Sequence, residues 1–333
     1  MNEHRLEWDF GALAIGETGA MMRWVSFRLP SGRRFEPFAR APWIGGDGLD
    51  ALAPHLRDLG AEFACLPFGV GGPLDAVAPE WEGLPIEDSN PIPHGPAANA
   101  VWTLTEKTDR ALRFALPYPA DHPVRSLERT IAVDPERPVV HLSLRIEARR
   151  AADVSVGLHP ILTLAAPVDG LELSADFAFG LTYPAAVPGD AMIAASGQSF
   201  TRLDAVPAAN GGSVDLSRLP KARPIEDVVQ LCGARGPVAV TFAHEAARLV
   251  LDWDRTLLPS CQIWISDRAL QSAPWGGRYR GLGIEPIASA FDFAETLSRT
   301  SNPISERGIA TTLAIEPGRD VEIRYSIAAE EIG

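Results

Sequence analysis

The sequence predicts an all-β protein, a large antiparallel β-sandwich with few short helices. Three observations carry this. Apolar and polar residues alternate with period two along many short segments, the pattern of a strand with one buried face. Twenty-nine glycines and 29 prolines are spread over the 333 residues and cut the chain into pieces of strand length. Long helical periodicity is scarce. Hydrophobic residues make up 46% and charged residues 22%, enough for a sizeable core and unlike a disordered chain. The length suits one large all-β unit, so residues 1–333 are expected to form a single domain.

Along the chain, the first element expected is one short helix from Gly48 to Leu59. There Leu49, Leu52, Leu56 and Leu59 recur at helical spacing, with Asp47 as N-cap. From Val140 to Glu147 the even positions are apolar and the odd ones polar, which reads as a half-buried strand. Val154, Val156 and Leu158 alternate in the same way with Asp153, Ser155 and Gly157. Residues 165–224 are rich in Ala, Gly, Pro and Asp. They read as long loops within one sandwich, because the strand pattern is alike on both sides. Val238, Val240 and Phe242, then Leu249, Leu251 and Trp253, form a hairpin closed through His244-Glu245-Ala246-Ala247. The last strand follows a turn at Glu316-Pro317-Gly318-Arg319 and carries Val321, Ile323, Tyr325 and Ile327.

The net charge of −13 disfavours nucleic acid and an anionic membrane surface as partners, since both need clustered Lys and Arg. Cys65, Cys232 and Cys261 are odd in number, widely spaced and without a CxxC, so buried free thiols are expected. No HxH, HxxxH or HExxH spacing occurs, and no metal site is expected. There is no G-x-S-x-G elbow, phosphate-binding loop or Rossmann fingerprint, so no cofactor is expected either. The N-terminal MNEHRLEWDF lacks a basic segment followed by an apolar run, and no stretch approaches a membrane span. A cytoplasmic protein, monomer or homodimer, is the expectation.

Three ionisable residues stand in distinctive settings. His94 lies in Asn90-Pro91-Ile92-Pro93-His94-Gly95-Pro96, an irregular loop followed by Asn99 and Trp102. His159 follows Val156-Gly157-Leu158 and precedes Pro160. Strand parity puts it on the face of Ser155 and Gly157, where the glycine leaves room for a ligand. Glu285 ends Gly281-Leu282-Gly283-Ile284-Glu285-Pro286, on the face of Gly283, and could be a general base. Read singly, each is as well explained as a loop residue bonded to backbone or as an exposed strand end. His141 and His244 sit on a polar strand face and in a hairpin loop; His4, His55 and His122 have no distinctive setting. Trp102, Trp264 and Trp275 lie near these motifs, where an indole could stack on a pyranose; Trp264 is assigned to the core.

In their order, these fragments resemble the aldose 1-epimerase (galactose mutarotase) superfamily. That family has a His-Gly motif followed by Trp, then Gly-x-His-Pro, then a late Gly-x-x-Glu segment. They match His94-Gly95 with Trp102, Gly157-Leu158-His159-Pro160, and Gly281 to Pro286. Leu66-Pro67-Phe68-Gly69 is similar to the family's proline-phenylalanine segment, so the resemblance covers about two hundred residues, Leu66 to Pro286. It implies a large antiparallel β-supersandwich with a sugar site on a concave sheet face. It also implies roles: Glu285 as base at the anomeric hydroxyl, His159 as acid at the ring oxygen, and His94 hydrogen-bonded to that oxygen. The family's sugar-binding aspartate matches Asp227, with Glu226 an alternative. Asn99, Trp102, Trp275 and Arg278 complete the expected sugar-binding set, and all three catalytic residues should line one pocket of sugar size.

The sequence departs from the family around each motif. Val70-Gly71-Gly72 replaces an Asn-Arg pair, Pro96-Ala97-Ala98 follows His94-Gly95, Ile161 replaces an aromatic residue, and the tail reads Glu285-Pro286-Ile287-Ala288. Arg278 and Arg280 are candidates to replace the missing arginine. The implied partner is a monosaccharide or modified sugar handled differently from plain galactose. The alternatives are a non-catalytic carbohydrate-binding protein on the same fold and a sugar-phosphate epimerase, which needs a cationic pocket.

Overall fold

The alternating segments pair into two large antiparallel sheets in a computed structural model, which describes residues 3–72, 74, 76–187 and 191–333. The eight-stranded sheet runs, from one edge, Ser199–Phe200, Phe179–Thr182, Ile225–Cys232, Ser260–Asp267, Arg280–Ala288, Val156–Leu158 and Ala64–Cys65. Its eighth strand, Ile161–Thr163, also pairs with Arg280–Ala288. The nine-stranded sheet centres on Val321–Glu331, between the hairpin Val238–Phe242/Ala247–Trp253 and the long strand Val139–Ala148. A four-stranded meander spans Glu3 to Phe35. The helices are short, the longest having five residues.

The strand from Val139 to Ala148 and the final strand form as the alternation predicts, and pair with Leu144 opposite Ile323. The hairpin closes through a 3-10 turn at Ala243–Glu245, with Phe242 opposite Ala247. Three expectations need correction. The single helix over Gly48–Leu59 is instead a 3-10 turn at Leu49–Ala51 followed by a four-residue helix at Pro54–Arg57. Pro54 lacks the N–H that a continuous helix would need and drives Ala53 into extended conformation (φ −53°, ψ 141°). Gly48, left-handed at φ 76°, takes the N-cap position in place of Asp47. The alternation through Val154, Val156 and Leu158 is not one strand. Ala152–Val154 pairs with Leu313–Ile315, and Val156–Leu158 enters the eight-stranded sheet. Residues 165–224 are not only loops, because Leu171–Ser174 joins the nine-stranded sheet and Phe179–Thr182 the eight-stranded one.

The main core lies between the two sheets. Ile225, Val229, Leu231, Ile263, Ile265, Leu282 and Ile284 meet Leu127, Ile131, Leu142, Leu144, Leu249 and Ile323. The outer face of the eight-stranded sheet is covered too. One cluster holds Trp81, Tyr183, Phe291 and Phe293; another holds Trp43, Phe63, Phe68, Tyr279 and Ile287; Trp264 packs against both. Every residue of Ile225–Cys232 is therefore buried.

An ion pair crosses the inner core. The guanidinium of Arg129 donates to Glu62, which also accepts the Tyr325 hydroxyl at 2.8 Å; neither charged side chain is exposed. Removing one partner leaves the other charge buried and unpaired, which typically costs about 3–5 kcal/mol. Arg129→Ala is expected to lower the unfolding free energy by that amount in urea, and Arg129→Ala with Glu62→Leu by clearly less. Equal losses in both would show that the pair is not the source.

Candidate functional site

Strand register assembles a polar row on the outer face of the eight-stranded sheet. Gln230 stands opposite Gln262, and Gln262 opposite Glu285. Gln230 is held by the Ser289 carbonyl and the Phe291 N–H, at 2.9 and 2.6 Å. Gln262 donates to Glu285 Oε2 at 2.8 Å. Beyond Glu285 the neighbouring strand is interrupted. Gly157 pairs with Ile287 and Ile161 with Gly283, and the Pro160 carbonyl accepts from the Ile284 N–H at 2.9 Å. His159 sits in that interruption, facing Glu285, with Nε2 3.4 Å from Oε1. Its ring stacks on Phe63, centroids 4.5 Å apart at 19°, and its N–H donates to the Phe63 carbonyl at 2.8 Å.

Two glycines serve the cluster otherwise than expected. A Cβ at Gly157 would come within 2.4 Å of the Phe68 ring, so Gly157 makes room for Phe68 and not for a ligand. A Cβ at Gly283 would come within 2.1 Å of Glu285 Oε1, so that glycine accommodates the carboxylate itself. Both His159 and Glu285 are buried, which removes their reading as exposed strand ends.

The His94 loop is fixed by close backbone approach. His94 is left-handed at φ 57°, and a Cβ on Gly95 would lie 1.9 Å from the Leu66 carbonyl oxygen. The loop therefore presses on Leu66-Pro67, and only glycine fits there. The His94 N–H donates to the Gly69 carbonyl at 2.8 Å. Asn99 donates to the carbonyls of Pro93 and Gly95, at 2.7 and 2.9 Å, and accepts from His55 Nδ1 at 2.8 Å. The imidazoles of His94 and His159 meet edge to face with centroids 5.1 Å apart, and His55 stands 5.4 Å from His94.

Burial sets the electrostatics. Desolvation raises the Glu285 carboxyl well above the usual carboxylate range, against the Gln262 hydrogen bond and with a further push from Asp292. Desolvation lowers His159 to about 3, helped by His55, and lowers His94 well below its ordinary value. Burial thus disfavours charge on both groups, which approach to 3.4 Å with Glu285 Oε1 left without a hydrogen-bond partner.

The remaining expected residues divide. Asp227 is on the inner face with Ile225 and Val229, and caps the N–H groups of Ile193 and Ala194 at 2.8 and 3.4 Å. Its neighbour Glu226 faces the site and accepts the Trp264 indole N–H at 2.7 Å. Trp102 lies in the main core, bonded to the Ala97 carbonyl, whereas Trp264, expected in the core, is half-buried beside His159 (centroids 5.9 Å). Trp275 packs on Trp43 and Tyr279, with centroids 4.9 and 5.0 Å away. Asn99 positions the His94 loop. Arg278 is exposed, and Arg280 is bound to Asp267 at 2.8 Å, so neither replaces the missing arginine.

Sequence reasoning passed over His55, Gln262 and Asp292. His55 carries no local signal, since only folding brings it to Asn99. Gln262 and Glu226 were legible by parity, as polar positions alternating with buried apolar ones.

Seven buried polar atoms without a hydrogen-bond partner gather on this face: His94 Nδ1, His159 Nδ1, Glu285 Oε1, Gln262 Oε1, Glu226 Oε2, Tyr279 Oη and Asp292 Oδ1. The three expected catalytic residues converge and are nearly closed to solvent. Their exposures are 8% for His94, 6% for His159 and 1% for Glu285. The nearby cleft of about 770 Å³, lined by Asn90, Gly95, His122 and Arg299, runs behind the His94 loop. A pyranose between His159 and Glu285 must part them.

Comparison with known proteins places the fold. No family model and no curated protein sequence matches the chain. Solved structures do. An aldose epimerase homologue from C. elegans aligns over 100% of this chain and 99% of its own, with TM-score 0.66 and 10% identity. A galactose mutarotase related enzyme from Lactobacillus acidophilus aligns over 100% of both chains, at 0.61 and 13%. A galactose mutarotase-like protein from Clostridium acetobutylicum covers 99% of this chain and 95% of its own, at 0.62 and 11%. The fold is galactose mutarotase-like. No helix among the described residues is long and apolar enough to cross a membrane.

A carboxyl whose folded pKa lies above its unfolded one contributes stability that is complete below the unfolded pKa and lost as pH rises through the folded pKa. Glu285 is such a group. Glu285→Gln, which keeps the shape, is therefore expected to stabilise the protein by on the order of 1 kcal/mol at alkaline pH and by less at pH 5. Thermal unfolding of both proteins across pH checks it; a difference independent of pH would refute the buried-acid assignment.

Proposed function

We propose that the chain is an aldose 1-epimerase-type isomerase, which interconverts the α and β anomers of a monosaccharide by opening the ring. The observation that carries this is the meeting of Glu285, His159 and His94 in one cluster of unpartnered polar atoms. The reaction removes the proton of the anomeric hydroxyl and supplies one to the ring oxygen, so it needs a base and an acid that together hold one transferable proton.

Glu285 and His159 hold that proton between them. Burial favours the neutral form of both, which is also their state once the ring has opened and Glu285 has taken the anomeric proton. The reactive form has the proton on His159 and the charge on Glu285; their Nε2 and Oε1 atoms lie 3.4 Å apart before the sugar parts them. Glu285 then takes the anomeric proton, and His159 gives its own to the ring oxygen. His94 hydrogen-bonds that oxygen. Rotation about the C1–C2 bond of the open-chain aldehyde and reversal of both transfers yield the other anomer. Glu226, not Asp227, is the carboxylate placed to bind sugar hydroxyls.

A second reading, a non-catalytic carbohydrate-binding protein, is favoured by the closed His159–Glu285 contact. The sugar-phosphate alternative loses its support, since among the described residues no Lys or Arg pairs with Glu226, Glu285 or Asp292. NMR saturation transfer across a broad aldose panel separates the first two. Accelerated anomer exchange is expected for at least one sugar, falling about 10²–10⁴-fold in Glu285→Gln and in His159→Asn. Calorimetric binding without turnover would support the binding protein instead. The kcat/KM of the best substrate is expected to stay level from about pH 5 to neutrality, because His159 is not protonated until about 3. It should fall at higher pH as the pair loses its only proton. An acid limb near the ordinary histidine pKa would contradict this charge state.

A further inference from the structure

The carboxylates of this face lack what buried carboxylates ordinarily have. Glu226 is only 5% exposed; its Oε1 accepts from Trp264, the Ser266 hydroxyl on the facing strand also acts on the carboxyl, and no charged partner reaches Oε2. Asp292 lies beside the Tyr183 hydroxyl with Oδ1 unpartnered. Among the described residues no Lys or Arg approaches Glu226, Asp292 or Glu285 within ion-pair distance, although the chain holds thirty such residues. The charged groups that act on Glu226 are Asp227 and Asp292, and on Glu285 it is Asp292: in each case the same sign. The nearby imidazoles supply no cation, because burial keeps His94 and His159 neutral. The walls next to Glu226 are aromatic. Trp264 stacks against Tyr279, centroids 5.8 Å apart at 24°, with Trp275 6.0 Å from Trp264.

Desolvation pushes Glu226 up to about 7 and raises Asp292, so these carboxyls resist ionising until a ligand brings a cation. Apolar walls exclude water and strengthen the attraction once it arrives, and indole and phenol rings favour an ammonium beside them. A phosphorylated or acidic sugar would meet repulsion here.

We infer that the sugar taken by this site carries a protonated amine, held by Glu226 Oε2 beside Trp264 with Asp292 at longer range: an amino aldose and not a neutral or anionic one. The inference rests on the proposed sugar site but not on its turnover. Glu226 becomes the residue that sets specificity, and Glu285 keeps its place at the anomeric carbon.

The test uses aldohexoses bearing a free amine at C2, C3 or C6, each beside its neutral parent and its N-acetyl derivative. Binding is measured by calorimetry at a pH where the amine is charged, and anomer exchange by NMR on the same samples. At least one free amine is expected to bind about tenfold or more tighter than both controls, the gain of one charge-assisted contact in a dry site. That ratio should fall towards one in Glu226→Gln. Asp292→Asn should reduce it less and serves as the second variant if Glu226→Gln does not fold. Controls that bind as tightly as every amine overturn the inference, as does a ratio unchanged in Glu226→Gln. Amine preference without accelerated exchange supports the inference and overturns the epimerase reading. Accelerated exchange of neutral aldoses without amine preference does the reverse.

Discussion

Both faces of the eight-stranded sheet are out of water, and the rest of the structure follows from that. The inner face packs on the nine-stranded sheet, and the outer face lies under two aromatic clusters joined by Trp264. A sheet so enclosed has no solvent to receive polar side chains. Each polar residue on it must find a partner or remain as an unpaired atom at a cost. On the inner face the polar residues are paired: Asp227 caps two backbone N–H groups, and Asp267 binds Arg268 and Arg280. On the outer face the pairing is incomplete, and the unpaired atoms collect in one place.

That place is organised by register more than by loops. Gln230, Gln262 and Glu285 occupy successive strands at matched positions, and the interruption at His159-Pro160 brings an imidazole into the next one. The row is anchored at one end by the backbone around Ser289 and Phe291 and at the other by stacking on Phe63. Loops supply the third imidazole, and they do so rigidly. The His94-Gly95 corner presses on Leu66-Pro67, and Asn99 ties it to His55. The same burial that fixes these groups disfavours charge on both Glu285 and His159.

Much of this was legible in the sequence, for definable reasons. Period-two alternation survives folding because strand side chains must alternate, so the long strands and the Val238–Trp253 hairpin stand where expected. The His94, His159 and Glu285 motifs could be recognised because each is tied to glycine or proline by backbone geometry. Asp227 was the expected sugar ligand, but Ile225, Val229 and Leu231 define the inner face and Asp227 lies with them, leaving Glu226 on the outer face. Trp102, expected at the sugar site, lies in the main core, while Trp264 packs against both outer clusters as a core residue and also borders His159. Nearness in sequence to a motif says nothing about which face a side chain takes, and the two tryptophans lie on opposite sides of that division.

What the sequence by itself determined is therefore local: strand character, the Gly95 corner, and the identity of three ionisable residues that have no ordinary place in an apolar strand or tight loop. What only the tertiary structure decided is everything that depends on distance across the chain. It brought His55 beside His94, set Asp292 near Glu226 and Glu285, and left no Lys or Arg pairing with those carboxylates among the described residues. It also covered the outer face, so that Glu285 and His159 are buried rather than exposed at strand ends. The physical reason is that protonation and charge balance depend on desolvation and on neighbours a few ångströms away, which strand pairing and sheet packing supply from segments far apart in the chain.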